Sequence, residues 1–248
     1  QLREMRDRLF TTSGNARYFI PIIRPMEFEP RPLPLEPYLL GALIGDGGLT
    51  GLKVAISSMD DEILQAVVDA LPFGVSLKFQ AGYTYRITRD RQDTGAWFVP
   101  SNPVVDAMRE LGLLGRRAEA KFIPEQYLFA GVAERIALLQ GLLDTDGTVG
   151  RHTGCITFTS VSEQLAKDVV ALVQSLGGVA RTNSRVPKYT HNGERRHGRL
   201  AYYVTIRLAN EIQPFRLPRK LERVIPRTKY GINRALVNVE YVGEKEAQ

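Results

Sequence analysis

Two apolar segments of the chain end in the same Asp-Gly pair, 100 residues apart. The first reads LLGALIGDGGLT (residues 39–50) and the second LLQGLLDTDGTVG (residues 138–150). In each segment small residues recur four positions apart, a spacing that lets two helix backbones approach closely. We therefore expect two helices that pack on each other and end side by side, each in an aspartate.

The pattern after each apolar segment repeats in the same order, which indicates an internal duplication. In the first copy the predicted elements are a helix at 36–45, strands within 48–57, a helix at 60–71, strands at 75–80 and 83–89, and a helix at 101–112. In the second copy they are a helix at 131–145, strands at 147–151 and 154–159, a helix at 161–176, strands at 178–186 and 201–208, and a helical signal at 212–222. Ser58 and Ser162 are predicted N-caps of the second helix of each copy. This order predicts an α+β fold of two pseudo-symmetric αββαββα subdomains with antiparallel sheets.

Three regions follow from this pattern. They are an N-terminal helix and proline-rich arm at 1–34, a first subdomain at 35–130 and a second subdomain at 131–248. Six prolines between Pro21 and Pro37 make the arm extended, because proline fixes φ and lacks the amide donor. Residues 188–200 have no counterpart in the first copy and are predicted to form a hairpin-like excursion.

Composition limits the cellular setting. The 248 residues are 44% hydrophobic and contain a single cysteine, which excludes an internal disulfide. There is no signal peptide and no apolar run of the length that a membrane span requires. We expect a cytoplasmic, nucleoid-associated protein that is neither secreted nor bound to a membrane.

Basic residues are concentrated in the second half of the chain. Residues 147–248 carry 17 Lys and Arg against 8 Asp and Glu, whereas residues 1–146 carry 16 against 19. Within residues 178–234 the ratio is 14 to 3. Such a concentration favours a polyanionic partner, above all nucleic acid, although a solvated basic face would look the same in sequence.

The paired aspartates need a compensating charge. A helix C-terminus carries partial negative charge, and Asp46 and Asp146 would also repel each other. Clustered carboxylates suit a hard cation such as Mg²⁺, which keeps several waters and shares phosphate oxygens with a substrate. A single Asp-Gly pair often only ends a helix in a turn. Two copies on matching apolar helices favour a metal site instead.

The segments LLGALIGDG and LQGLLDTDG resemble the two signature motifs of LAGLIDADG homing endonucleases of the two-motif, monomeric type. The resemblance runs from Leu35 to the end of the chain. It implies that Asp46 and Asp146 bind Mg²⁺ or Mn²⁺, together with the backbone carbonyls of Gly45 and Thr145. Asp144 has Ile44 opposite it and receives no symmetric role.

The resemblance also implies two basic residues near the scissile phosphates. Lys121, in AKFIPEQYL, resembles the lysine found ahead of the second motif in intein-borne members of the family. Lys220, in LPRKLERV, is the best candidate for its counterpart. Either residue could instead be an exposed loop lysine.

The flanking segments resemble junctions with a protein-splicing domain. These segments are RYFIPIIRPMEF before the first motif and VNVEYVGEKEAQ after the second copy. Position 1 has no nucleophile and the end has no His-Asn pair, so we expect no self-splicing. The chain is interpreted as the endonuclease part of an intein.

A homing endonuclease would bind an asymmetric duplex site of roughly 20 base pairs, about two helical turns, with one saddle-shaped sheet on each half-site. Predicted DNA contacts in the first copy are Lys53, Lys78, Tyr83, Tyr85, Arg86 and Arg89. In the second copy they are Arg151, Thr157, Arg181, Asn183, Arg185, Tyr203, Thr205 and Arg207. Contacts to phosphates are predicted for Arg181 and Arg185 and, further, for Lys188, Arg195, Arg196 and Arg199.

Two other functions remain open at this point. The same scaffold could bind RNA as a maturase, or DNA as a regulator, without cleaving it. It could also be a structural insertion that stabilises a host intein, although the basic second half would then have no explanation.

Overall fold

Two apolar helices from the two predicted copies pack together between two four-stranded sheets. The computed structural model describes residues 2–90, 101–191, 193–226, 232–241 and 243. Two short elements come first, α1 (Leu2–Asp7) and β1 (Phe19–Pro21). The first copy then comprises α2 (Pro37–Asp46), β2 (Gly47–Gly48), β3 (Ala55–Ser57), α3 (Asp61–Ala70), β4 (Val75–Ala81), β5 (Thr84–Arg89) and α4 (Pro103–Glu110).

The second copy follows a connection that contains a 3₁₀ turn (Ala118–Ala120) and α5 (Glu125–Leu128). It comprises α6 (Val132–Asp146), β6 (Gly147–Val149), β7 (Ile156–Ser160), α7 (Glu163–Ser175), β8 (Val179–Arg185), β9 (Lys188–His191), β10 (Glu194–His197), β11 (Ala201–Arg207) and α8 (Pro218–Leu221). The last described strand, β12 (Asn233–Ala235), pairs antiparallel with β1.

The two sheets have the same topology, which confirms the predicted α+β fold with antiparallel sheets. Their strand orders are β2-β3-β5-β4 and β6-β7-β11-β8. The hairpin β9–β10 interrupts the connection between β8 and β11, as predicted for the excursion at 188–200. It pairs only with itself among the described strands.

Two details of the sequence prediction are wrong. The helical signal at 212–222 yields only the single turn of α8, since Pro214 and Pro218 lack the amide donors that a longer helix would need. Ser162 caps α7 as predicted, accepting a hydrogen bond from the amide of Leu165 at 3.1 Å. The N-cap of α3 is Asp60 rather than Ser58.

The α2–α6 contact depends on two glycines that face each other. A Cβ atom on Gly41 would lie 3.1 Å from the Cα atom of Gly141 and even closer to the backbone of α6. A Cβ atom on Gly141 would lie 2.8 Å from the amide nitrogen of Ala42. Backbone therefore touches backbone, and both helices are buried over most of their length. The predicted close approach is confirmed.

The arm before α2 is fastened to the second copy. Arg135, on α6, is fully buried and donates to the backbone carbonyl of Met26, to that of Ala130 (2.8 Å) and to the hydroxyl of Ser175 (2.6 Å). Its guanidinium lies 4.7 Å from the ring centroid of Phe28. These contacts fix the path by which the chain enters the first copy.

None of the described helices is long and apolar enough to cross a membrane.

We expect Gly41→Ala to lower the free energy of unfolding by about 2 kcal/mol, because the added methyl group overpacks the α2–α6 contact. This loss exceeds the roughly 1 kcal/mol that alanine contributes as a helix former. Urea denaturation measures the change. Gly51→Ala, where a Cβ atom would meet nothing closer than 3.9 Å, is the matched control and should be neutral or slightly stabilising. Equal stability of the two variants would contradict the role given to the glycine pair.

Candidate functional site

The C-terminal ends of α2 and α6 lie against each other. At Gly45 a Cβ atom would lie 2.7 Å from the Cβ atom of Thr145, so only glycine fits on the α2 side. Asp46 and Asp146 are the next residues along each helix, and their charges interact. The packing of the helices therefore brings the two motif aspartates together.

The two aspartates differ in burial. Asp46 is exposed, whereas Asp146 is partly buried. Desolvation, helped by the charge of Asp46, raises the pKa of Asp146 to about 6. Desolvation also raises the pKa of Asp46, and the charges of Lys121 and Lys220 oppose the shift at both acids. The site is crowded with negative charge that its own lysines only partly offset.

Lys121 binds the end of α2. Its ammonium donates to the backbone carbonyls of Gly45 at 2.9 Å and Gly47 at 3.0 Å. Burial lowers the pKa of Lys121, and the charges of Asp146 and Asp46 act in the opposite direction. The side chain is only 7% exposed, so Lys121 is not a solvated loop lysine. It neutralises the negative end of the first motif helix.

Lys220 binds the end of α6 in the corresponding way. Its ammonium donates to three backbone carbonyls, those of Leu143 (2.9 Å), Asp144 (2.5 Å) and Gly147 (2.7 Å). It is also 7% exposed, and burial lowers its pKa. The structure thus brings together the four side chains that the sequence selected. The sequence did not reveal that both lysines donate hydrogen bonds to backbone carbonyls at the C-terminal ends of the motif helices.

Asp144 is buried and holds the loop that leads to α8. It accepts hydrogen bonds from the Tyr38 hydroxyl at 3.0 Å and from the backbone amides of Arg216 at 3.1 Å and Leu217 at 3.3 Å. All of its partners are protein groups other than the motif aspartates. Its contacts link α2 to the segment that carries Lys220.

The oxygen atoms at the junction suit a hard divalent cation. Within the described residues no group of three or more His, Cys, Asp or Glu side chains could hold a metal ion. Asp46 and Asp146 would therefore need backbone, water and phosphate oxygens to complete a coordination sphere, which is how Mg²⁺ is usually bound. The carbonyl of Gly45 is shared with Lys121, so the two predicted carbonyl ligands, Gly45 and Thr145, are not equivalent.

The outer face of the second sheet carries the predicted polar residues. Val204 and Ile206 of β11 point toward the helices, so the alternate positions of that strand point away from them. Strand pairing extends this outer face across β7 and β8. The predicted contacts found there are Thr157, Arg181, Asn183, Arg185, Tyr203, Thr205 and Arg207. The guanidinium of Arg185 lies 4.3 Å from the ring centroid of Tyr203.

The first sheet shows that two predicted contacts are wrongly placed. Tyr85 is cross-strand from Ile56 and therefore faces the helices. Arg89, two positions beyond buried Ile87 and cross-strand from buried Val75, is on the same inner side and donates to the carbonyl of Ser101 at 2.6 Å. Strand alternation around Ile87 would have identified both.

The outer face of the first sheet contains Lys78 and Arg86, which are cross-strand partners. Four further polar residues lie on this face and were not predicted as contacts, although strand alternation identifies them. They are Ser57, Ser76, Thr84 and Thr88.

The remaining predicted contacts lie outside the two sheets. Lys53, Tyr83 and Arg151 are exposed in connections between strands. On the excursion, the exposed basic residues are Lys188, Arg195, Arg196 and Arg199. Two of these four already have acidic neighbours. Arg196 pairs with Glu194 at 3.2 Å, and Arg199 pairs with Glu119 at 3.1 Å.

Residues 133–216 match the family model described as a LAGLIDADG-like domain. The match spans nearly all of α6, including Asp146, and the complete second sheet. The first copy lies outside the match, has the same sheet topology, and packs its motif helix against α6.

Two curated relatives are proteins of DNA metabolism. The replicative DNA helicase DnaB of Mycobacterium intracellulare is 29% identical over 212 residues, which cover 86% of this chain and 30% of the helicase. A DNA gyrase subunit of Mycobacterium kansasii is 26% identical over 162 residues, which cover 63% of this chain and 29% of the gyrase protein. The chain thus spans less than a third of either relative.

The homing endonuclease I-DmoI is among the solved structures to which the chain aligns. The complex of I-DmoI with DNA and Ca aligns with a TM-score of 0.45 and 17% identity. The alignment covers 76% of this chain and 95% of the I-DmoI chain.

We expect Asp146→Asn to stabilise the protein when no divalent metal is bound. The folded-state pKa of Asp146, about 6, lies above the ordinary value of 3.8, so the folded state holds the proton more tightly than the unfolded state. The free energy of unfolding then falls as pH rises from 3.8 to about 6 and stays low at higher pH. The variant should be more stable than the wild type at pH 7, by up to about 3 kcal/mol.

This gain should disappear near pH 4, where Asp146 is protonated in the folded wild type. Urea denaturation in EDTA at both pH values measures it. Asp61→Asn, which removes an exposed acid from the first turn of α3, is the control and should give no gain. A gain of equal size at both pH values would argue against desolvation of the Asp146 carboxylate.

Proposed function

We propose that the chain is a metal-dependent, site-specific DNA endonuclease of the homing type. The observation that carries this proposal is the junction of α2 and α6. There, two crowded aspartates and two buried lysines meet between two sheets whose outer faces are polar and basic. Electrostatically uncompensated acids that a fold brings together at its centre are a common mark of a catalytic site.

Asp46 and Asp146 would hold Mg²⁺ or Mn²⁺ through their carboxylates. The bound metal supplies an activated water and stabilises charge on the reacting phosphate. The aspartates hold the ions and do not themselves act as the general base. Their raised pKa values mean that metal binding must displace a proton from Asp146 below about pH 6.

The two lysines would act differently on the two DNA strands. An ammonium group has three donors. Lys121 uses two of them on the carbonyls of Gly45 and Gly47, which leaves one for a phosphate oxygen or a water. Lys220 uses all three on the carbonyls at the end of α6, so it would act through its charge alone.

The two outer sheet faces would each bind one half-site of a duplex. Their side chains differ, so the target would be asymmetric and roughly 20 base pairs long, about two helical turns. Because both copies belong to one chain, a monomer suffices for both cuts. The motif helices end together, which supports closely spaced, staggered cuts. The resemblance to LAGLIDADG homing endonucleases implies that these cuts leave 3′ overhangs.

We infer that the chain derives from an intein and acts in the cytoplasm on chromosomal DNA. It resembles under a third of a helicase and under a third of a gyrase protein, two relatives of different activity. A shared segment of this kind is expected for a mobile insertion. The sequence contains no Gly-Lys dipeptide and therefore no P-loop, so ATP-driven helicase activity is not the explanation.

Selection from a randomised duplex library with Mg²⁺ would identify the target and test cleavage. We expect Asp46→Asn and Asp146→Asn each to abolish double-strand cleavage while specific binding persists, since the acids hold metal and do not contact bases. Gel-shift and cleavage assays on the selected site separate the two activities. Wild-type protein that binds but never cuts would favour a regulator or maturase, and protein that does neither would favour a structural insertion. A variant that cuts both strands at the wild-type rate would refute the site assignment.

The basic excursion at residues 188–200 should contact phosphates and make no base-specific contacts. Each neutralised phosphate contributes a slope of about −0.9 to log K against log salt. Replacing Arg195 and Arg196 by Ala should therefore flatten the slope by up to about 2 and weaken all sequences alike. Fluorescence anisotropy over a salt series measures this. Replacing Arg3 and Arg6 on the distant helix α1 is the control for net charge. An unaltered slope with a different preferred target would mean that residues 188–200 read bases.

A further inference from the structure

The segment that carries Lys220 bridges the two copies. The ammonium of Lys220 binds the end of α6 in the second copy, whereas the side chain of the neighbouring Arg219 contacts the first copy. The Arg219 guanidinium makes a two-pronged contact with the Asp60 carboxylate, with N···O distances of 2.9 and 2.5 Å. Asp60 is the N-cap residue of α3.

The segment that carries Lys121 bridges the copies in the opposite sense. Its ammonium binds the end of α2 in the first copy. Its backbone carbonyl accepts a hydrogen bond from the hydroxyl of Ser162 in the second copy, at 2.7 Å. Two residues later, the amide of Ile123 donates to the Asp168 carboxylate of α7 at 2.8 Å. Ser162 is the N-cap residue of α7.

These two arrangements are reciprocal. Asp60 and Ser162 occupy the same position in the duplication, the N-cap of the second helix of each copy. Each cap contacts the lysine segment whose ammonium serves the opposite copy. We call these two contacts the cross-copy braces, Asp60–Arg219 and Ser162–Lys121.

We propose that Asp60, Arg219 and Ser162 are positioning residues, and that each cross-copy brace sets the rate of cleavage of one DNA strand by holding one lysine at its helix end. This inference rests on the proposed function. It extends that function because each copy would hold in place the lysine that binds the motif helix of the other copy.

Local structure alone cannot hold Lys220 in place. α8 contains four residues, a single turn, which is far too short to be stable without outside contacts. Its lysine must nevertheless stay aligned with three carbonyls at the end of α6. The contacts that precede α8, through Asp144, fix where the segment starts, and the Arg219–Asp60 contact fixes the turn itself.

The Asp60–Arg219 brace is suited to positioning rather than to stability. The two side chains are 27% and 49% exposed, and ion pairs of that exposure contribute little to folding. A small displacement of a group at a reacting centre can nevertheless slow a reaction roughly 100-fold. Loss of this brace should therefore appear in the rate of one cut and not in the thermal unfolding temperature.

The test is single-turnover cleavage of a supercoiled plasmid that carries the selected target, with primer extension to identify each cut strand. Asp60→Asn and Arg219→Lys should each slow one strand by roughly 10- to 100-fold, so that nicked plasmid accumulates. The slowed strand should be the one that Lys220→Met slows. Asp61→Asn is the matched control, because it removes an acid one position away without breaking the brace, and it should cut as the wild type does.

Asp60 also raises the pKa of Asp46 through its charge, so a slower cut by Asp60→Asn could come from that charge rather than from the brace. Exchanging the two charged residues separates these two causes. The double variant Asp60→Arg with Arg219→Asp restores an ion pair of reversed polarity. We expect the double variant to cut the slowed strand at a rate within about 3-fold of the wild-type rate, whereas each single variant is slowed roughly 10- to 100-fold. Ser162→Ala should slow the other strand, the one that Lys121→Met slows, in samples shown to be folded.

Equal slowing of both strands, or no recovery in the double variant, would overturn the brace proposal while leaving the endonuclease in place. A wild-type protein that cuts neither strand of any selected duplex would instead refute the proposed function and the braces with it. The two failures are therefore distinguishable in the same assay.

Discussion

The contact between Gly41 and Gly141 is the constraint on which the rest of the molecule depends. Backbone meets backbone there, so the two motif helices have a single depth and register at which they can pack. Everything that follows each helix, from its Asp-Gly end to its sheet, is placed by that register. The site is therefore built by packing between copies and not by any one loop.

Close packing creates an electrostatic cost at the helix ends. Two carboxylates and the negative ends of two helix dipoles converge there. Burial, helped by the charge of Asp46, raises the pKa of Asp146 to about 6. Lys121 and Lys220 offset the dipoles by binding backbone carbonyls, yet they leave both carboxylates without a direct partner among the described residues. Helix ends that are stabilised beside acids without a direct partner support the proposed metal site.

The sequence revealed the features that are local or repeated. The motif helices, their close approach, the hairpin excursion and the acids all followed from periodicity and duplication. Strict strand alternation around Ile87 would have placed Tyr85 and Arg89 on the inner side of the first sheet, and Pro214 and Pro218 confine the helix predicted at 212–222 to the single turn of α8. The lysine contacts could not be derived, since Lys121 reaches a carbonyl 76 residues away and Lys220 one 77 residues away. Such pairings are fixed by tertiary packing, which no local pattern records.

Duplication preserved the scaffold but not the chemistry of its two halves. Asp46 is exposed and Asp146 is partly buried. Within the described residues, Lys121 uses two of its donors and Lys220 uses all three. The braces differ as well, since one is an exposed ion pair and the other a buried hydroxyl on a carbonyl. Both halves nevertheless retain the glycine contact and a helix-end lysine. Loss of the glycine contact would displace both acids at once, whereas loss of one lysine would affect the end of one motif helix. The shared glycine contact therefore couples the two halves, whereas each lysine acts on the end of its own motif helix.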